Sequence, residues 1–149
     1  MDYVSIKNTG RPRNVAFDRM RNLSMTYMSW EEAFQLDLVL QSPMLESLEW
    51  EGYYADNTIK ELSMNRPWPH ITKLVIGGSH KATDITHILE HVGNGLGGLV
   101  DLTSYNPFSS KALSSHISTL VKVDLGASID STTNLDILCS CPRLEVLLI

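Results

Sequence analysis

The sequence predicts an α/β solenoid, in which each repeat adds one strand to a parallel sheet and a helix or turn to its outer side. Three observations carry this expectation. An apolar frame recurs along the 149 residues, its copies are closely spaced, and helix-type apolar stripes fill the gaps between them. The frame is clearest in Ser42-Pro-Met-Leu45-Glu-Ser-Leu48-Glu-Trp50, Trp68-Pro-His-Ile71-Thr-Lys-Leu74-Val-Ile76 and Cys141-Pro-Arg-Leu144-Glu-Val-Leu147-Leu-Ile149. Each copy has a proline, one spacer, and then apolar residues at relative positions 1, 4 and 6. Weaker copies run through Met20, Leu23 and Met25; Leu99, Leu102 and Ser104; and Leu120, Val123 and Leu125. The first positions, 20, 45, 71, 99, 120 and 144, are 25, 26, 28, 21 and 24 residues apart. About six repeats of 21–28 residues follow, over residues 20–149, with 1–19 as a lead-in or degenerate repeat.

Taken in order, the strands are expected near residues 23, 48, 74, 102, 123 and 147. Positions 4 and 6 of each point to one side of a short strand, while 3, 5 and 7 point to the other. One such strand cannot bury its apolar side alone, so the copies stack. Between strands, Ser29-Trp-Glu-Glu32 is a capping box that opens a helix over about 31–41, ended by Pro43. Asn57 is placed to cap a shorter turn that holds Ile59 and Leu62. Ile85, Ile88, Leu89 and Val92 fall at i, i+3, i+4 and i+7 and predict a helix over 84–92, stopped by Gly93. Residues 109–115 carry the weakest pattern. Leu135, Leu138 and Cys139 predict a last helix over 134–139.

The period and the L-x-x-L-x-L frame are those of leucine-rich repeats. Thr133-Asn-Leu-Asp-Ile-Leu138-Cys-Ser-Cys141-Pro-Arg-Leu144-Glu-Val-Leu147 resembles the cysteine-containing leucine-rich repeats of F-box proteins, and Leu120-Val-Lys-Val-Asp-Leu125 looks like the strand of the preceding repeat. A helix ending in Ser-Cys-Pro or Gln-Ser-Pro before the strand is similar to large fungal-type F-box families. The resemblance covers roughly residues 20–149 and concerns the repeats; no stretch matches the F-box module itself. It implies substrate recognition for a cullin-type ubiquitin ligase, with Skp and cullin components as its machinery.

Composition narrows the function classes. The chain is 43% hydrophobic and 19% charged, a globular balance. No apolar run approaches the roughly 18 residues of a membrane helix, and no secretory leader is evident at the start. Cys139 and Cys141 cannot build a disulfide framework, so a reducing compartment, cytoplasmic or nuclear, is expected. A net charge of −5, from 17 acids against 12 bases, makes nucleic acid a poor partner, and no membrane contact is expected. The chain ends at Ile149 inside the last expected strand without a polar cap. The expectation drawn from this is a fragment of a longer array, or pairing through that edge.

Three constellations resemble catalytic or ligand sites. His87-Ile-Leu-Glu90-His91 fits the H-x-x-E-H spacing of inverted zinc proteases, and a zinc-dependent hydrolase is the alternative function. The stripe Ile85, Ile88, Leu89 and Val92 turns these three polar residues towards solvent, and no third ligand is evident. Gly93-Asn-Gly95-Leu-Gly97-Gly98 follows a helix and leads into a strand, the reverse of a dinucleotide fingerprint, so a helix stop and turn is expected. Cys139 and Cys141 lack a second pair for structural zinc, and both read as small buried apolar residues. His70, His80 and His116, isolated near turns, read as surface or internally satisfied side chains. No catalytic residue, cofactor or metal is therefore assigned, and the chain is not expected to be an enzyme.

The concave side of the sheet remains as a binding surface. Its strand positions 3, 5 and 7 carry Glu49, Glu51, Lys73, Asp101, Tyr105, Lys122 and Asp124. Position 3 alone reads Ser47, Lys73, Asp101, Lys122 and Val146, a ladder of alternating charge if the strands stack about 4.8 Å apart. A protein partner on this face is the expected function, against a scaffold or orphan fragment with no ligand of its own.

Overall fold

The computed structural model describes residues 3–5, 18–26, 42–53, 70–79, 82–92, 98–126 and 132–149. These residues form an α/β structure around one parallel sheet. Its strands are β1 (Tyr3–Ser5), β2 (Asn22–Thr26), β3 (Ser47–Tyr53), β4 (Lys73–Ser79), β5 (Asp101–Ser104), β6 (Lys122–Asp124) and β7 (Val146–Leu148). They lie side by side in chain order, and every neighbouring pair is parallel. Helix α1 (Ala82–His91) joins β4 to β5, a 3₁₀ turn (Ser110–Leu113) lies between β5 and β6, and α2 (Thr132–Cys139) precedes β7. Among the described residues, no helix is long and apolar enough to cross a membrane.

Register is set by one hydrogen-bond device used five times. The carbonyl of frame position 2 accepts two consecutive amides of the next copy. Arg21 O accepts from Glu46 and Ser47 at 2.8 and 2.9 Å, and Glu46 O from Thr72 and Lys73 at 2.9 and 3.1 Å. Thr72 O, Val100 O and Val121 O repeat this with 100/101, 121/122 and 145/146, all between 2.8 and 3.1 Å. Both lone pairs of each carbonyl are thus used. The consequence is that Asn22, Ser47, Lys73, Asp101, Lys122 and Val146 share one row, and Leu23, Leu48, Leu74, Leu102, Val123 and Leu147 the next.

The core lies along one side of this sheet. Positions 1, 4 and 6 are buried from the copy at Met20 to the copy at Leu120, and Trp50 is the largest side chain among them. Ile85, Ile88, Leu89 and Val92 of α1, Leu113 of the 3₁₀ turn and Leu138 of α2 close the cluster from the other side. Ser104 is the polar exception at position 6. It is fully buried, yet its hydroxyl donates to Asn106 O at 2.8 Å and accepts from Asn106 N–H at 3.4 Å, so its polarity is internally satisfied. On the edge strand β7, Val146, Leu147 and Leu148 are exposed, as is Ile149 after it.

All six expected strands are present. β1 adds a seventh in the stretch expected as a lead-in, and it pairs parallel to β2 through Tyr3–Asn22, Val4–Leu23 and Ser5–Ser24. Both described helices begin two residues ahead of expectation, and the weak 109–115 segment is a 3₁₀ turn. The expected helix at 31–41 and the turn at Asn57 lie outside the described residues. One expectation fails: Cys139 is exposed. It ends α2, one residue past the buried Leu138, where no further helical turn covers it. Cys141 is buried as expected, and burial first, then the neighbouring Cys139, pushes its thiol pKa up.

The shortest interval among the six expected copies, between Leu99 and Leu120, is held by His116, whose side chain is wholly buried. Leu99 N–H donates to His116 Nδ1 at 3.1 Å, so Nε2 carries the ring proton and faces Leu89 O at 2.6 Å. One neutral imidazole thereby ties the last turn of α1 to the lead-in of β5. Thr119 Oγ1 donates to Leu99 O at 2.8 Å. Gly98 makes room, since a Cβ there would lie 2.3 Å from Thr119 Oγ1 and 2.9 Å from His116 Nδ1.

Burial lowers the His116 pKa, and the hydrogen bond to Leu89 O opposes it. A depressed histidine makes the unfolded chain bind the proton first. Its contribution is therefore complete above the unfolded value of about 6.5 and is lost as pH falls towards the folded value. Urea unfolding from pH 7.5 to 5.0 should show stability falling below about pH 6.5. His116→Ala should cost about 2–4 kcal/mol at pH 7.5 and remove this part of the pH dependence. An unchanged pH profile in the variant would refute the assignment.

Candidate functional site

The sheet side opposite the core carries all seven residues expected at the binding face. Row alignment follows from the shared register: Ser47, Lys73, Asp101, Lys122 and Val146 lie in one row, and Glu49, Val75, Thr103, Asp124 and Leu148 in a second. Glu51 lies beside Gly77 in a third row, which Tyr105 and Gly126 continue. Glu49 Oε2 accepts a hydrogen bond from Ser24 Oγ at 2.8 Å, a link across β2 and β3. Asp124 Oδ1 accepts Gly126 N–H at 3.1 Å, closing a turn in which Gly126 takes φ +53°. An L side chain is strained at that angle, so glycine is required there.

The expected charge ladder is aligned but does not close. Among the described residues, no ion pair joins Lys73, Asp101 or Lys122, although they are adjacent in register. Asp101 Oδ1 is instead a buried oxygen without a hydrogen-bond partner. The ion pair that does form across strands, Arg21 with Glu46, sits at position 2, outside this row. A lysine side chain gains little from a single surface pairing and loses rotamer freedom, so alignment alone does not produce contact.

Among the side chains of the face whose exposure is described, Tyr105 is an exposed aromatic, at 48% exposure. Its amide donates to Ile76 O at 3.0 Å, which carries the β4–β5 pairing one step past Ser104. Its ring spans the gap above two glycines. A Cβ on Gly77 would lie 3.0 Å from Tyr105 Cδ2 and 3.0 Å from Glu51 Cγ, and one on Gly126 would lie 2.8 Å from Tyr105 Cδ1. Gly77 and Gly126 are position-7 residues that alternation along the strands already places on this face, although neither was expected as a partner-binding residue. Only the register brings them to either side of residue 105.

On the helical side, His87 Nδ1 stands 3.9 Å from Glu90 Oε2, and both side chains are partly exposed. The His91 side chain lies outside the described residues. Among the described residues, no three His, Cys, Asp or Glu side chains gather as a metal-holding group. Gly93–Gly97 and His80 also lie outside the description.

A double-mutant cycle of Asp101→Ala with Lys122→Ala tests the open ladder. The coupling energy should be below about 0.5 kcal/mol, and a value above about 1 kcal/mol would show that the two charges pair in solution. In comparisons with known proteins, no family model, curated protein or solved structure matches this chain.

Proposed function

We propose that the chain is a leucine-rich-repeat solenoid whose concave sheet face binds a protein partner. The observation that carries this reading is the fivefold use of the position-2 carbonyl, with one strand per interval of 21 to 28 residues between neighbouring copies of the frame. Identical interfaces between successive copies are what a one-dimensional stack requires. Such stacks commonly bind through the extended face of the strands, and here that face presents Glu49, Glu51, Lys73, Asp101, Tyr105, Lys122 and Asp124. Large interfaces draw their energy from a few anchors, aromatic ones above all, while charges around them tune rate and selectivity. Tyr105 is the anchor and the charges are its surround.

The resemblance of residues 20–149 to F-box-protein repeats supports a narrower form of this proposal, in which the segment recognises the substrate of a cullin-type ubiquitin ligase. Proximity labelling with the full chain tests that form: Skp and cullin components should be enriched, and their absence would remove it. The broader form is tested on the partner so identified. Tyr105→Ala, or Asp101→Lys with Asp124→Lys, should abolish binding with an unchanged circular dichroism spectrum, the Asp124 change costing up to about 1.5 kcal/mol of stability because it removes the bond from Gly126 N–H. His87→Ala with His91→Ala should leave binding intact. The opposite pattern would place the site on the helical side.

A further inference from the structure

His116 works through both ring nitrogens at once. Leu99 N–H donates to Nδ1 at 3.1 Å, Nε2 faces Leu89 O at 2.6 Å, and the side chain is wholly buried. Its backbone is fixed independently of the ring. His116 N–H donates to Leu113 O at 2.9 Å, and His116 O accepts the amides of Thr119 and Leu120, each at 3.0 Å. A proton can therefore act on the ring without first undoing the turn that carries it. The two nitrogens answer that proton differently. At Nδ1 it turns an acceptor into a donor facing the Leu99 donor, so that bond is lost. At Nε2 the bond to Leu89 O becomes charge-assisted and strengthens. The imidazolium is held on the α1 side and repelled on the β5 side.

The titratable groups of the surrounding elements stand elsewhere. On α1, His87 Nδ1 and Glu90 Oε2 lie 3.9 Å apart, and both side chains are partly exposed. Lys111 of the 3₁₀ turn and Asp136 of α2 are exposed, and Asp101, Lys122 and Asp124 stand on the open side of the sheet. The side chains of Asp84 and His91 lie outside the described residues, and the linker 93–97, Gly-Asn-Gly-Leu-Gly, carries no titratable group. A proton on the ring thus makes a buried cation, which is stable only once water reaches it. The release has a boundary. Val100 and Asp101 N–H donate to Thr72 O at 2.8 and 3.1 Å, and Thr119 Oγ1 donates to Leu99 O at 2.8 Å. One residue past Leu99, the chain is pinned into the sheet by bonds between groups that do not titrate.

We propose that His116 is an acid-released latch on the lead-in of β5: a proton on Nδ1 frees the Leu99 amide, while the bond to α1 and the register of the sheet persist. Acid opens this joint before it unfolds the chain. The latch needs no partner and stands whether or not the open face binds one.

The test is NMR on the full chain between pH 7.5 and 4.5, following the His116 ring nitrogens and backbone amide exchange relative to random-coil rates. At pH 7.5 the ring should be neutral, with its proton on Nε2. Its titration should have a midpoint below about 6.5, and the Leu99 amide shift should follow with the same midpoint. Below that midpoint Leu99 should lose about tenfold or more of its protection, while the Val100, Asp101 and Val121 amides keep theirs. His116→Gln, which cannot take the proton, should leave no pH dependence at Leu99. If that variant does not fold, the wild-type amides alone decide. A proton on Nδ1 at pH 7.5, a ring that stays neutral to pH 4.5, or a Leu99 amide indifferent to the ring's titration would overturn the proposal. So would loss of the Val100, Asp101 and Val121 amides together with Leu99, or a Leu99 response that survives in His116→Gln.

Discussion

The rest of the structure depends on the double acceptance by the position-2 carbonyls. A parallel strand has no hairpin turn to fix its register, and a slip of one residue would turn every apolar side chain to the opposite side. Here Arg21 O, Glu46 O, Thr72 O, Val100 O and Val121 O each take two amides from the next copy, so the start of each strand from β3 to β7 is pinned. The buried rows follow: Leu23, Leu48, Leu74, Leu102 and Val123 stack across the sheet, and Met25, Trp50 and Ile76 form a second buried row. The same pinning decides what stands on the open face.

The device tolerates variation because it is backbone chemistry. Side chains at its acceptor positions are Arg21, Glu46, Thr72, Val100 and Val121, which range from charged to apolar. Intervals can then differ, provided the chain between strands returns to the same start. The interval from Leu99 to Leu120 shows how a short one manages. It has a 3₁₀ turn between its strands, and polar groups take over part of the packing. His116 bridges Leu89 O and Leu99 N–H, Thr119 reaches Leu99 O, and Gly98 supplies the space. A buried network of this kind holds only if its members are satisfied, and this one depends on a neutral imidazole.

Much of the sheet was legible because burial leaves a pattern. Positions 1, 4 and 6 had to be apolar for stacking to bury them, and a 21–28-residue period follows from one strand and one return per copy. β1 escaped because its copy is spaced differently. Met1, Val4 and Ile6 fit the frame, but they precede Met20 by only 19 residues, below the usual band. Cys139 was misread because an i, i+3, i+4 stripe says nothing of where the partner surface stops. The seven face residues could be named from alternation alone, whereas their contacts could not. Lys73, Asp101 and Lys122 align without pairing, since a flexible lysine side chain chooses among rotamers of nearly equal energy.

What remained hidden is a property of rows rather than of segments. Gly77 and Gly126 lie 28 and 21 residues from Tyr105 in sequence, and alternation puts all three on the open face without showing that the glycines make room for the ring. Register places all three side by side, and the absent Cβ atoms then leave room for one ring across two strands. The polarity of the face arises in the same way. Reading along position 3 shows alternating charge, but reading along the strands shows lysines at one end and Glu49, Glu51 and Asp124 towards the other. In a stacked parallel sheet, the chemistry offered to a partner is written across the copies, so the carbonyls that pin the register also compose the surface.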